Sequence, residues 1–445
     1  METTLAGMAI ARQSDDALPQ SYYEASARTE RIVYPPLGVS GEADVCVIGG
    51  GFAGLHTALS LVESGRRVVL LEARRIGWGA SGRNGGQVIP EFACGEATLT
   101  SALGTVDGAA CWQLAQGGAQ ALRDRITRYQ IDCDYVAGHL EVAVSARRFA
   151  RLQRASAAAC ATGRYRLIGP VELPRFVGSR RYFGGVLDPA GGHLHPVKLA
   201  LGLGRALTSL GAAVHEQTPV SGWDASAAGI TVRCLNGASV RCSQLVLAVN
   251  VGAAGLTGPG MRAQARRILP VGTWVIATEP LDPALADEVL TSRAAVADNR
   301  MVMDYFRLSR DRRMVFGGGC SYLGNPTPRG FAEQLRRRMD YIFPQLSTVP
   351  VEFAWGGMLD ISMSRAPDLG RVPGEPRVVY AQGFSGSGLV ATQVAGRVIA
   401  DALNGQTQQL ALFERIGHRA FPGGRLMRAP ITTAGMLYHR LLDLF

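Results

Sequence analysis

Three glycines, Gly49, Gly51 and Gly54, stand in the pattern G-x-G-x-x-G, and Glu72 follows Gly51 by 21 residues. Together they suit one chemistry, the holding of a dinucleotide. The first glycine makes a tight turn, the second lets the backbone approach a pyrophosphate, and the third lets a helix pack on a strand. A helix starting near Phe52 would aim its free N–H groups and the positive end of its dipole at the phosphates. Glu72 can accept hydrogen bonds from both hydroxyls of an unphosphorylated ribose, which favours FAD or NAD over NADP. The glycine pattern alone is weak, because 55 of the 445 residues are glycine. Its frame makes it specific. Residues 44–48 are a short Val- and Ile-rich run, residues 52–63 repeat apolar positions at helical spacing, and residues 67–71 again read as a strand.

Two further glycine stretches could serve the same ligand. IGWGASGRNGGQ, residues 76–87, is too glycine-rich for a regular element and suits close approach of backbone to a bound group. GFSGSG, residues 383–388, follows a strand-like run at 378–381 and precedes a helix predicted over about 390–403. This second strand–loop–helix unit points another helix N-terminus at a place where negative charge develops.

The elements between these loops must position them. Residues 1–40 form a polar arm ending in Pro35-Pro36. Residues 101–130 and 147–163 are Ala-rich with helical spacing, and residues 138–144 alternate like a strand. Residues 188–196 read as a strand and turn leading into a helix over 197–210. Strands are predicted at 214–220, 230–234, 244–250, 273–277, 305–308 and 314–317, and a helix at 331–343. Two dinucleotide-type units at opposite ends of the chain imply one domain interrupted by insertions. At 445 residues, two domains are the natural size.

Composition narrows the function. Hydrophobic residues make up 47% and charged residues 18%, as in a globular protein, and no run of 18 apolar residues free of charge appears. The segment METTLAGMAIARQSDD does not read as a secretory signal, so a cytoplasmic location is expected. The eight cysteines have no C-x-x-C and no metal spacing, which fits free thiols and predicts no metal. The net charge of +10 is almost all arginine, with Lys198 the single lysine, so no mechanism can call on a lysine elsewhere. The arginine groups at 123–128, 147–154, 262–267 and 307–313 lack interleaved stacking aromatics, which argues against nucleic-acid binding. The amphipathic stretch 436–445 (MLYHRLLDLF) is expected to pack on protein rather than on membrane.

EADVCVIGGGFAGL, IGWGASGRNGGQ, GGHLHP and AQGFSGSG, in this order, resemble the D-amino-acid-oxidase superfamily of flavoproteins. The arm motif Ser21-Tyr22-Tyr23 and the segment ATEPL at 277–281 are similar to the group that includes γ-glutamylputrescine oxidase. The resemblance covers about residues 20–445. It implies an α/β fold: a Rossmann-like FAD-binding domain of the D-amino-acid-oxidase (GR2) type carrying an inserted antiparallel-sheet substrate domain. The expected segments are 1–92, 189–262 and 352–445 for the first, and 93–188 and 263–351 for the second. It further implies non-covalent FAD, oxidation of a C–N bond by hydride transfer to flavin N5, hydrolysis of the imine and reoxidation by O₂. By the same resemblance Gly49, Gly51 and Gly54 hold the pyrophosphate and Glu72 the ribose. Arg74, Ala80 and Ser81 line the FAD. Arg83, Asn84, Gly85, Gly86 and Gln87 lie against the flavin ring. Val220 meets the adenine through its backbone, and Gly386, Ser387, Gly388 and Leu389 sit at the pyrimidine edge. Compared with monomeric sarcosine oxidase, Met358 stands where a cysteine links the flavin, Val390 stands where a lysine anchors a carboxylate, and the strand at 314–317 lacks the lysine that activates O₂.

For catalysis and substrate capture the candidates are Glu91, His193, Tyr305 and Arg307. Glu91 follows the flavin loop and could receive a substrate ammonium. His193 and His195 form H-x-H without further metal ligands, so a structural role or a flavin-side contact is expected. Tyr305 and Arg307, two apart on a strand, share a face and could clamp a carboxylate, or be a surface pair. Trp355 is read as a core residue that could also wall the pocket. No strong base is readable, so the neutral amine is expected to be selected by desolvation, helped by Glu91 or His193. The expected substrate is a γ-glutamylputrescine-like amine. The alternatives are a secondary or N-substituted amino acid of the sarcosine, iminodiacetate or pipecolate type, a dehydrogenase passing electrons to a quinone or carrier, or a flavin-binding protein without turnover.

Overall fold

The computed structural model describes residues 21–322, 325 and 327–422. The segments 1–16 and 436–445 discussed above lie outside them. The strand Gly41–Ile48 is the centre of the first sheet. It pairs in parallel with Val68–Leu71 on one side and with Ser239–Leu247 on the other. Ala213–His215 extends the sheet beyond the first neighbour and Glu375–Gln382 beyond the second, again in parallel. A parallel sheet is buried on both faces, and the alternation of side chains shows it. Val45 and Val47 enter a core shared with the helices Phe52–Glu63, Pro196–Ser209 and Gly388–Leu403. Cys46 and Ile48 enter the opposite core, closed by Trp223, Ile230 and Val232 of the hairpin Val220–Ser226 and Gly229–Cys234. This is the expected Rossmann-like layering.

The second sheet runs in the order Val351–Ser362, Ile268–Thr278, Met314–Ser321, Tyr305–Leu308, Ala295–Asp298, Val136–Val142, Gly185–His193, Gln87–Val88. It is antiparallel except at one joint, where Ala295–Asp298 lies parallel to Val136–Val142. That joint is where the two inserted segments meet, and no hairpin fixes the relative direction there. Leu140, Val296, Phe306, Phe316 and Trp274 fill the core on the outer face of this sheet, beneath the helix Phe331–Ile342.

The sheets divide the chain differently from the expected segments. The helices Gly95–Leu103 and Thr105–Arg128, assigned by sequence to the second domain, place Leu99, Cys111, Ala115 and Leu122 in the core of the first. Strand Val351–Ser362, unrecognised in the sequence, pairs along nearly its whole length with Ile268–Thr278 of the second sheet. Its two central glycines and scattered polar residues hide the period-2 pattern that marks a strand. Among the described residues no helix is long and apolar enough to cross a membrane.

Candidate active site

The glycine turn is built as its spacing requires. Gly49 has φ +112°, and a Cβ there would stand 2.3 Å from the Ala248 carbonyl oxygen. A Cβ on Gly54 would lie 1.9 Å from the Gly49 carbonyl oxygen, so no other residue lets the helix sit this close. Glu72 accepts from the backbone N–H groups of Gly50 at 2.6 Å and Arg74 at 2.8 Å. Burial nevertheless raises its pKa, with these N–H groups acting in the opposite sense. Thr218 donates its N–H to the Glu72 carbonyl, which brings the segment leading to Val220 beside the acid.

The stretch 76–87 is folded by its own side chains. Ser81 accepts the N–H of Phe52 at 2.8 Å, tying the short Ala80–Gly82 turn to the start of the first helix. Asn84 donates to the carbonyls of Ala80 and Ser81 and accepts from the Gly86 N–H. Arg83 donates to the carbonyls of Trp78 and Gly356, and Trp355 donates its indole N–H to the Arg83 carbonyl. Trp355, buried beside Tyr23, thus packs in the core and also fixes the loop.

At the second loop three residues take positive φ: Gly383 (+76°), Ser385 (+54°) and Gly386 (+95°). Asp360, on the strand the sequence concealed, accepts the Gly383 N–H at 2.6 Å, and burial pushes its carboxyl up to about 7. Ser387 occupies the N-cap position of the helix Gly388–Leu403 without a capping bond, and donates its hydroxyl to the Glu91 carbonyl at 2.8 Å. A Cβ on Gly388 would meet nothing within 4 Å, so open space fronts the helix N-terminus. Glycine turns without room for side chains, an acid at the end of the second strand and an open helix N-terminus fit a bound FAD.

The inner face of the second sheet completes the site. Strand pairing sets Glu141 opposite Ala297, Ala297 opposite Tyr305, and Tyr305 opposite Gly317. Glu141 and Tyr305 are therefore two strands apart, about 10 Å, with small residues forming the floor between and beside them. The Tyr305 ring lies against Gly85 of the loop 76–87 and against Gly317, where a Cβ would come within 2.5 Å and 2.1 Å of it. Glu91 accepts a hydrogen bond from the Tyr165 hydroxyl at 3.1 Å. Burial raises the pKa of Glu91 and pushes that of Glu141 up to about 7, and the Glu91 charge adds to the second shift. Sequence reasoning missed Glu141, although the strand it lies on was legible. Its place two residues from His139 marked a shared face, but nothing in the sequence marked which face.

Arg307, expected either to clamp a carboxylate or to lie on a surface, is not on a surface. It is 3% exposed. Its Nε donates to the Gly85 carbonyl at 2.8 Å and its Nη2 to the Tyr23 hydroxyl at 3.2 Å. His193 is also buried. Its Nε2 donates to the Arg293 carbonyl at 2.9 Å, while Nδ1 has no partner among the described residues. Burial, then the Arg307 charge, holds His193 down to about 3, so it is neutral at working pH. His195 is structural: Nδ1 accepts the Lys198 N–H as a helix cap, and Nε2 donates to Ser26. The Lys198 ammonium pairs with Glu30 and Asp134. Val390 packs against Gly118 in the core, and Met358 lies on a strand opposite Gly272.

A Rossmann-like domain with two glycine loops facing a mostly antiparallel sheet defines a flavoprotein oxidoreductase. The chain belongs to the FAD dependent oxidoreductase (DAO) family, which matches residues 44–402. It is 36% identical over 428 residues to gamma-glutamylputrescine oxidoreductase of Escherichia coli K12, covering 95% of this chain and 98% of that one. It is 34% identical to the probable oxidoreductase OrdL of Haemophilus influenzae, covering 95% and 97%. Among solved structures, glycine oxidase from Bacillus cereus superposes with a TM-score of 0.70 at 20% identity, covering 85% of this chain and 99% of that one. L-proline dehydrogenase from P. horikoshii also gives 0.70, at 19% identity and 85% and 98% coverage, a likeness of fold. The protein is thus an FAD-dependent enzyme of this family.

Proposed function

We propose that this enzyme oxidises the C–N bond of a cationic amine similar to γ-glutamylputrescine. Glu141 on the inner sheet face, with Glu91 on the loop after Gln87–Val88, carries this reading. Two partly buried acids whose charges interact favour an ammonium group as their partner. The E. coli relative named for γ-glutamylputrescine agrees in class. Bound FAD supplies the hydride acceptor. The protein's own part is to bind and orient the amine and to exclude water. Glu91, with Glu141, draws the ammonium in and takes up its proton, so that the neutral amine with a free lone pair reacts. Tyr305 forms the wall opposite the acids. Neutral His193, with Nδ1 free to accept, assists but is not the base. The resulting imine hydrolyses in solution, and O₂ is the proposed final acceptor.

An anaerobic screen tests the reading by bleaching of the flavin absorbance. γ-Glutamylputrescine and related amines should bleach it, while sarcosine, iminodiacetate and pipecolate should not. Bleaching by the carboxylated secondary amines alone would reject the amine reading. Mixing the reduced enzyme with air then measures the acceptor step, and sluggish reoxidation would favour a quinone or carrier over O₂.

A further inference from the structure

Two buried arginines among the described residues are paired with acids. Arg31 meets Glu24, and Arg125 meets Glu63. At the site neither Arg83 nor Arg307 has such a partner, and Arg307 is the more deeply buried of the two. It is as deeply buried as Arg31 and Arg125, yet its acceptors are a backbone carbonyl, a phenol hydroxyl and, at 3.5 Å, the Leu308 carbonyl, all uncharged. No carboxylate forms an ion pair with it among the described residues. A buried charge without a counter-ion is costly and persists where another gain offsets it. Its position suggests the gain. The guanidinium lies directly behind the flavin loop, close enough that a Cβ on Gly86 would stand 3.0 Å from Nη2. Tyr23 holds it there from the short N-terminal helix Tyr22–Ser26, with its ring also packed edge-on against Trp355 and His195.

We propose that Arg307 supplies an uncompensated positive charge that favours the two-electron-reduced cofactor over the oxidised one, and that Tyr23 is the positioning residue that keeps this charge behind residues 85 and 86. The Ser21-Tyr22-Tyr23 motif of the arm thereby acquires a function at the site. The charge acts through space on any anion forming across the loop, and a low-dielectric surrounding strengthens it. The proposal rests on the flavin ring lying against residues 83–87, and flavin content, measured separately, reports a failure of that placement.

The test uses the FAD-loaded enzyme and its reduction potential, read by equilibration with reference dyes. Arg307→Gln should lower the ratio of reduced to oxidised flavin at a fixed potential by about tenfold or more, which is about 30 mV for a two-electron couple. Arg307→Lys, which keeps the charge, should restore most of the ratio. Tyr23→Phe should move it in the same direction as Arg307→Gln but less. Val315 stands opposite Arg307 on the neighbouring strand, so Val315→Asp provides the missing counter-ion while leaving Arg307 in place, and it should reproduce the Arg307→Gln shift. A wild-type potential in FAD-loaded Arg307→Gln overturns the proposal. If that variant loses its FAD, a wild-type potential in Val315→Asp overturns it instead.

Discussion

Glu141→Gln separates an acid that receives substrate from one that merely tolerates burial. An ordinary glutamate titrates near 4.5 and Glu141 at about 7. That difference corresponds to about 3 kcal/mol of cost for charging it in place. A substrate ammonium at contact distance returns such a cost, since two unit charges about 4 Å apart interact by about 4 kcal/mol at an effective dielectric of 20. Removing the charge while keeping the shape should therefore cost the transition state about 1.5–3 kcal/mol, a fall of about 10- to 150-fold in kcat/KM. In the wild type kcat/KM should climb through about pH 7 as the Glu91–Glu141 pair ionises, and this limb belongs to the pair rather than to either residue. The variant should lose that limb. Stability should respond oppositely. A carboxyl whose folded pKa is raised contributes stability present below about 4.5 and lost as pH rises through about 7. Glu141→Gln lacks that loss, so it should melt higher than wild type above pH 7 and equal to it near pH 4. Stopped-flow flavin reduction against amine concentration and pH, with thermal melts over the same range, reads both effects. Unchanged kcat/KM with an unchanged pH profile would refute the assignment, even if the variant is more stable.

Further outcomes follow from the cofactor site and the buried histidines. Acid precipitation should release yellow FAD into the supernatant, because Met358 cannot form a thioether link; flavin remaining on the polypeptide would contradict this. Glu72→Ala should weaken FAD binding by about 1–3 kcal/mol, since it removes the acceptor for two loop N–H groups as well as the expected ribose contact; a fluorescence titration with the wild-type dissociation constant would refute it. His139 is held down to about 4 by burial, against 6.5 for an ordinary histidine, so its contribution to stability is present above 6.5 and lost as pH falls toward 4. His139→Gln should therefore lessen the loss of stability below pH 6.5 by about 1 kcal/mol per pH unit, and identical pH slopes in urea unfolding of both proteins would show that His139 does not titrate in this range.

The glycine turn, the helix Phe52–Glu63 and the acid at its partner strand were determined by sequence alone, because their geometry is local. Gly49, Gly54 and Glu72 lie within two dozen residues, and backbone sterics fix what those positions can be. The second loop was legible for the same reason, and so was the order of elements that identifies the family. What the sequence left open depended on contacts between distant segments. Strand Val351–Ser362 acquires its partner some 80 residues upstream, and with it Asp360 reaches the Gly383 N–H. Helices Gly95–Leu103 and Thr105–Arg128 join the first core because their small residues fit there, a matter of packing that no local pattern encodes. The catalytic candidates divide on the same line. Sequence periodicity correctly put Tyr305 and Arg307 on one face, but only the tertiary structure decided that Tyr305 meets the loop at Gly85 while Arg307 is drawn behind it by Tyr23, 284 residues away. It likewise decided that Glu141 joins Glu91 across a strand order no sequence spacing reveals. Alternation fixes which side chains share a face, whereas burial, and hence charge state and chemistry, is fixed only when another part of the chain covers that face.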